Sequence, residues 1–551
     1  ARNLRLPSAK QNRKFISLPP ILIMDMASPH HLLLRSLSII PTHHYLLIVV
    51  AAIAIFLYRL FEIHFISDLL HGFRGDLATL TYHPSSRIYQ LVASRCVVLH
   101  RRFLSTPWLA SPHLQILFLN FFGWSPDVKY KRHLYQCADG GTIALDWLFS
   151  SDVKDTGSSA CCGSDAKNSI VLIIPGLTSD SNSAYVKHFV FKTAREGCDV
   201  VVVNHRGLGG VSITSDCFYN AGWTEDVRKV IEHVNHQHPD SYLFAVGTSI
   251  GANILVKYLG ESGPHTPLVG AAAICGPWDL VICDRFIHRR FAQRIYDKAI
   301  GIGLLGYAKL HHSVISRLAD WNAISKSHSI RDFDDHATRV LANFETVDTY
   351  YRRSSCVEFI GKVSIPLLCI AALDDPICSR EAIPWDECRA NPNIVLAATR
   401  RGGHLAFYEG LTANSMWWVR CTAEFVRALL LSSLACTILS EKKEAKGSDP
   451  PPAPQNGGGG GIEAAPGDES AAKAEIAREN DEIGRSWTEE EAGDDRSGGA
   501  ICRRLSKRVD ALCRRSRASV WLLAYVAVAA SWPFLGSALR IFFRRKLAGK
   551  N

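Results

Sequence analysis

Hydrophobic positions along the chain fall into two kinds of run. Residues 169–174 (Ser-Ile-Val-Leu-Ile-Ile), 199–203 (Asp-Val-Val-Val-Val) and 241–247 (Ser-Tyr-Leu-Phe-Ala-Val-Gly) are short and almost continuously apolar, as strands covered on both faces are. Segments at 184–196 and 224–236 lie between them and read as helices. Alternation of this kind predicts βαβ units and a parallel sheet. Further strands are expected at 268–274, 366–371 and 393–397. Upstream, half-apolar runs at 130–135 and 142–148 meet at Asp139-Gly140-Gly141, which predicts a β-hairpin. Residues 95–135 otherwise have poor periodicity and read as an irregular lead-in, and 150–168, rich in Ser, Gly and Asp, as a surface loop. From 277 to 329 the pattern is amphipathic and helical, an insertion placed to cap a site.

Two longer apolar stretches stand apart from this alternation. Residues 41–60 are near the length that crosses a bilayer and end in Arg59-Leu60. A membrane anchor is the first reading, with a signal peptide or a buried helix as competitors. Residues 518–539 carry no charge and are bracketed by arginines, with Trp521, Tyr525 and Trp532 suited to an interface and Pro533 set to kink a helix. That segment reads as a spanning helix, with a re-entrant, interfacial or soluble helix as alternatives. Between the core and this segment, residues 441–500 hold Pro450-Pro451-Pro452, five consecutive glycines and Glu489-Glu490-Glu491. Such a stretch buries too little apolar surface to order itself and reads as a linker.

Charge changes the picture little once it is located. The net charge is +10 over 551 residues, and much of it flanks the apolar segment near the carboxy terminus. Arginines in that setting suit phospholipid headgroups, and no nucleic-acid-binding or phosphate-loop motif accompanies them. The 16 cysteines are scattered without C-x-x-C or zinc-type Cys/His spacing, so no metal and no cofactor are expected and the thiols read as reduced. No N-x-S/T glycosylation acceptor occurs.

The chemistry centres on Gly247-Thr248-Ser249-Ile250-Gly251, where a strand-like run turns sharply into a helix-like one. This is the G-x-S-x-G nucleophile elbow pattern. A serine hydroxyl needs a base, and the base needs an orienting acid, in the chain order Ser, acid, His. Asp375, with Asp374 as the fallback, follows the strand at 366–371, and His404 follows the strand at 393–397 behind Gly402-Gly403. Oxyanion donors are expected from the backbone N–H groups of Ile250 and of Leu177, since Pro175 has none to give. An epoxide hydrolase or dehalogenase would place an aspartate at 249 and is excluded.

These residues, with Ser111-Pro-His-Leu-Gln115, Asn204-His-Arg-Gly-Leu208, Phe333-Asp334 and Tyr350-Tyr351, resemble the α/β-hydrolase group of plant embryogenesis-associated EMB8-like proteins, YheT-type hydrolases and yeast medium-chain ester synthase/esterases. The likeness covers roughly residues 100 to 430. It implies an α/β-hydrolase fold, a mostly parallel central sheet flanked by helices with a cap, and a Ser249–Asp375–His404 serine hydrolase for acyl esters. Short- or medium-chain esters, glycerolipids or phospholipids are the implied substrates. Thr248 and Ile250 stand where relatives often carry Trp and Leu, differences that bear on acyl-chain preference. The domain organisation expected is an extension over 1–40, upstream or targeting in origin; an anchor over 41–60; a hydrolase domain over 95–435 with its cap at 277–329; a linker over 441–500; and a basic-flanked membrane segment over 501–551. The expected function is membrane-associated ester hydrolysis through an acyl-enzyme, with a lipid or acyl-ester substrate, membrane lipids as partners and no nucleic acid. An acyltransferase with the same triad, or a non-catalytic membrane scaffold, are the alternatives.

Overall fold

A computed structural model describes His30, residues 40–153 and residues 169–447. The expected extension over 1–40 falls almost wholly outside the described residues, as do the linker beyond 447 and the apolar segment at 518–539.

Helix α1 (Thr42–Leu60) is the apolar stretch near the amino terminus, and none of its residues is buried. Strand β1 (Thr79–Tyr82) and helix α2 (Pro112–Phe121) follow. Neither was expected from periodicity. Ser111 accepts the Leu114 N–H and Pro112 stands in the first turn, where its missing N–H costs nothing. The expected hairpin is present as β2 (Lys131–Gln136) and β3 (Thr142–Leu148), paired antiparallel.

Next come β4 (Ser169–Ile174), α3 (Ala184–Arg195), β5 (Asp199–Val203), α4 (Glu225–Gln237), β6 (Tyr242–Thr248), α5 (Ile250–Ser262) and β7 (Gly270–Ile274). A helical run opens with α6 (Leu280–Ile287) and α7 (Phe291–Leu310) and continues through shorter helices to Ser354. Strand β8 (Leu367–Ala372), strand β9 (Ile394–Thr399) and helix α8 (Trp417–Leu430) close the core.

The sheet order is β1-β9-β8-β7-β6-β4-β5-β3-β2. Strands β4 to β9 run parallel, β3 and β2 continue antiparallel at one edge, and β1 is antiparallel to β9 at the other. The order reverses between β4 and β6, and the α/β-hydrolase fold follows from this winding. Alternate residues of each strand feed separate cores. Val171, Ile173, Phe244 and Val246 pack with Phe189 of α3 and Trp418 of α8 on one face. Leu172, Ile174, Leu243 and Ala245 pack with Val230 of α4 and Leu255 of α5 on the other. Continuous apolar strands are therefore required, since each buried aliphatic side chain contributes about 1.5–3 kcal/mol.

Candidate active site

Ser249 lies between β6 and α5 with φ 52° and ψ −122°, a conformation that costs about 1–3 kcal/mol for a residue with a side chain. Its neighbours explain how the turn closes. A Cβ at Gly247 would overlap the backbone of Gly251, and one at Gly251 would overlap the Ile174 carbonyl of β4. The two glycines thus let the helix start directly over the strand ends. The Ser249 N–H is anchored on the Ile274 carbonyl at 2.9 Å.

Asp375 and His404 sit on the turns after β8 and β9. His404 Nε2 lies 2.9 Å from Ser249 Oγ, and Nδ1 lies 2.8 Å from Asp375 Oδ2. The other Asp375 oxygen accepts the N–H groups of Ile377 and Cys378 at 2.8 and 2.9 Å. A carboxylate only accepts, so Nδ1 carries the ring proton and Nε2 is left to accept from the serine hydroxyl. Of the adjacent pair, Asp374 takes a different place: it accepts the Gly403 N–H at 2.9 Å, and its second oxygen is buried with no partner. Burial pushes its carboxyl up to about 7 against the pull of that N–H, and the Asp375 charge adds to the rise.

The loop after β4 stands opposite. Tyr185 of α3 accepts the Gly176 N–H at 2.8 Å, and the Tyr219 hydroxyl accepts that of Thr178 at 3.3 Å. The N–H groups of Leu177 and Ile250, between and beside these, have no acceptor among the described residues. Buried His205, held neutral by desolvation, donates to the Pro175 carbonyl at 3.0 Å and fixes the loop from behind. No local pattern marks Tyr185 or Tyr219 for this work, and the motif that contains His205 does not tell which backbone group its ring meets.

A cavity of about 1010 Å³ runs past these groups, at the large end of small-molecule sites. Leu177, Ile250, Ile287, Ile300, Leu304 and Phe333 give it an apolar wall, with Ser249 and His404 at its surface. Thr248 is not part of that wall. Its side chain is fully buried behind the elbow and donates to the Ile174 carbonyl at 3.2 Å. Of the two positions tied to acyl preference, only Ile250 meets the cavity.

Other motif residues hold the frame. Asn253 donates to the carbonyls of Ala221 and Ser354 and accepts the Cys356 N–H. Arg206 pairs with Asp226 and Asp139. Gln115 accepts the Tyr408 N–H at 3.1 Å, just past His404, and His113 bonds the Tyr296 hydroxyl across the cavity. Arg401, in the histidine turn, pairs with Asp68 in the short helix Phe65–Leu70 that follows α1.

Among the described residues, one cluster has metal-ligand spacing, Cys275 with Asp375 and His404. Both ring nitrogens of His404 are already engaged, and burial holds the Cys275 thiol well above its ordinary value. A protonated thiol and a committed imidazole do not fit a metal.

The serine aminopeptidase, S33 family model matches residues 165–412. Embryogenesis-associated protein EMB8 of Picea glauca is 37% identical over 343 residues, covering 61% of this chain and 74% of that protein. Phospholipase ABHD3 of Homo sapiens is 30% identical over 342 residues, covering 62% and 82%. Monoacylglycerol lipase of Saccharomyces cerevisiae is 28% identical over 355 residues, covering 58% and 79%.

Proposed function

Because the chain belongs to the α/β-hydrolase family of EMB8 and ABHD3, we propose that it is a membrane-tethered serine hydrolase that cleaves carboxylic esters of lipids. The observation that carries this reading is the unbroken line from Asp375 through His404 to Ser249, at 2.8 and 2.9 Å, opening on an apolar cavity.

Ser249 Oγ attacks the ester carbonyl as His404 Nε2 takes its proton. Asp375 holds the imidazole in the required tautomer and offsets its positive charge. The unengaged N–H groups of Leu177 and Ile250 receive the oxyanion, with no reorganisation at the moment of reaction. His404 then protonates the leaving alcohol, and water, activated by the same imidazole, releases the acid from Ser249.

The cavity and α1 support this substrate class. A largely apolar cavity of this size suits an acyl chain. Two relatives carry names that fit lipid esters, a phospholipase and a monoacylglycerol lipase. Helix α1 has 19 residues, no buried side chain and a mean hydropathy of 1.8, and serves as the tether.

The test is release of fatty acid from monoacylglycerol and phosphatidylcholine vesicles by the purified full-length chain. Release that disappears in Ser249→Ala supports the reading, and equal release by both proteins refutes it. Adding a short alcohol separates hydrolysis from acyl transfer by the product formed.

A further inference from the structure

The cavity opens beside a group of exposed apolar side chains. Of the wall residues that are also exposed, Asn120, Thr178 and Asn182 are polar, and the large apolar ones group on two helices at the rim: Leu117, Phe121 and Phe122 of α2 and its end, and Phe291 and Ile295 of α7. Phe121 is 63% exposed and Phe291 69%. Large apolar side chains grouped in this way on a soluble surface mark an interaction site.

Two observations say what covers them. The first is that the tether ends at the rim: Leu60 and Phe61, the last turn and cap of α1, line the same cavity. That junction is fixed in place. Ser111 donates to the Phe61 carbonyl, the His64 N–H reaches the Ala110 carbonyl at 2.7 Å, and Arg290 beside the rim pairs with Glu62 at 3.0 Å. A helix of 19 residues is about 28 Å long, close to the hydrocarbon thickness of a bilayer. With α1 in the bilayer, the rim meets the leaflet from which α1 emerges.

The second is the outer face of α7. At 100° per residue, Phe291, Ile295 and Ile302 fall within a 40° stripe on its exposed side, with Lys298 and Arg294 along one border. Apolar residues edged by basic ones are the composition of a helix lying at headgroup depth. Ile302, 71% exposed, belongs to this stripe but not to the cavity wall.

We propose that α2, α7 and the end of α1 form a docking collar that sits in the bilayer leaflet and admits the lipid ester sideways, from the leaflet into the cavity, without passage through water. The admission of an ester rests on the hydrolase reading; the seating of the collar in lipid does not.

The full-length Ser249→Ala chain in vesicles containing phosphatidylcholine with a diazirine on its acyl chain tests the seating without turnover. Cross-links mapped to 117–122 and 291–302, besides α1, are expected; cross-links confined to α1 overturn the collar. Ile302→Glu in the otherwise native full-length chain tests the route. Turnover of vesicle lipid is expected to fall at least about tenfold, the weight of one buried isoleucine side chain, while turnover of a water-soluble short-chain ester stays within about twofold. Undiminished vesicle turnover, or equal loss on both esters, overturns it. A wild-type chain inactive on both esters overturns the hydrolase reading, and the cross-links then still decide the collar.

Discussion

The Asp374 carboxyl accepts the Gly403 N–H at 2.9 Å, while its neighbour Asp375 meets the ring of the very next residue, His404, at 2.8 Å. Two adjacent aspartates therefore hold one turn at two levels, backbone and imidazole. Gly403, at φ 60°, and Gly402, at φ 155°, give the turn a path that residues with side chains rarely adopt.

This division predicts unequal effects of two similar substitutions. Asp375→Asn removes the acceptor that fixes the Nδ1–H tautomer, and kcat is expected to fall about 10³–10⁴-fold. Asp374→Asn keeps an oxygen for Gly403 and is expected to change kcat by less than about tenfold. Steady-state kinetics on one soluble ester compares them, and the reverse order would assign the triad acid to Asp374.

Asp374 also predicts a pH dependence of stability. Its carboxyl stands at about 7 in the folded protein against an ordinary value of 3.8, so the folded state binds this proton more tightly. The contribution to stability is complete below the unfolded value and is lost as the pH rises through about 7. Asparagine does not titrate. Relative to Asp374→Asn, the wild-type chain is expected to lose stability between about pH 4 and about pH 7. Thermal unfolding of both proteins across that range checks this, and a constant difference would place the carboxyl in its ordinary range.

Asn253 is expected to matter for folding and not for chemistry. It satisfies two buried carbonyls and one buried N–H from three separate segments. Asn253→Ala orphans all three and is expected to cost about 2–4 kcal/mol. Denaturant unfolding measures the loss. Stability within about 0.5 kcal/mol of wild type, the range of a surface change, would contradict the clamp.

Much of this architecture is legible in the sequence because local pattern and tertiary role coincide. Strands β4, β5 and β6 are buried on both faces, so their continuous apolar runs could be read directly, and the D-G turn between β2 and β3 gave the hairpin. Ser249, Asp375 and His404 are legible for a related reason: each follows a strand end and obeys a fixed chain order. Helix α2 was lost because its ten residues are apolar on nearly all sides, which hides the helical period; Ser111-Pro112 at its start was the usable signal. Strand β1 has four residues and one partner, β9, more than 300 positions away, so nothing local marks it. The Arg401–Asp68 pair has the same character, its members lying 333 positions apart. Thr248 lies buried behind the elbow, a placement that chain proximity to the nucleophile does not reveal.

The most direct measurement on the central claim is covalent labelling of the full-length chain by a fluorophosphonate probe, which reports a serine activated by its base. Labelling of the wild-type chain at Ser249, its loss in Ser249→Ala and a strong reduction in His404→Ala are expected. Labelling that persists in Ser249→Ala, or a wild-type chain that stays unlabelled, would contradict the claim.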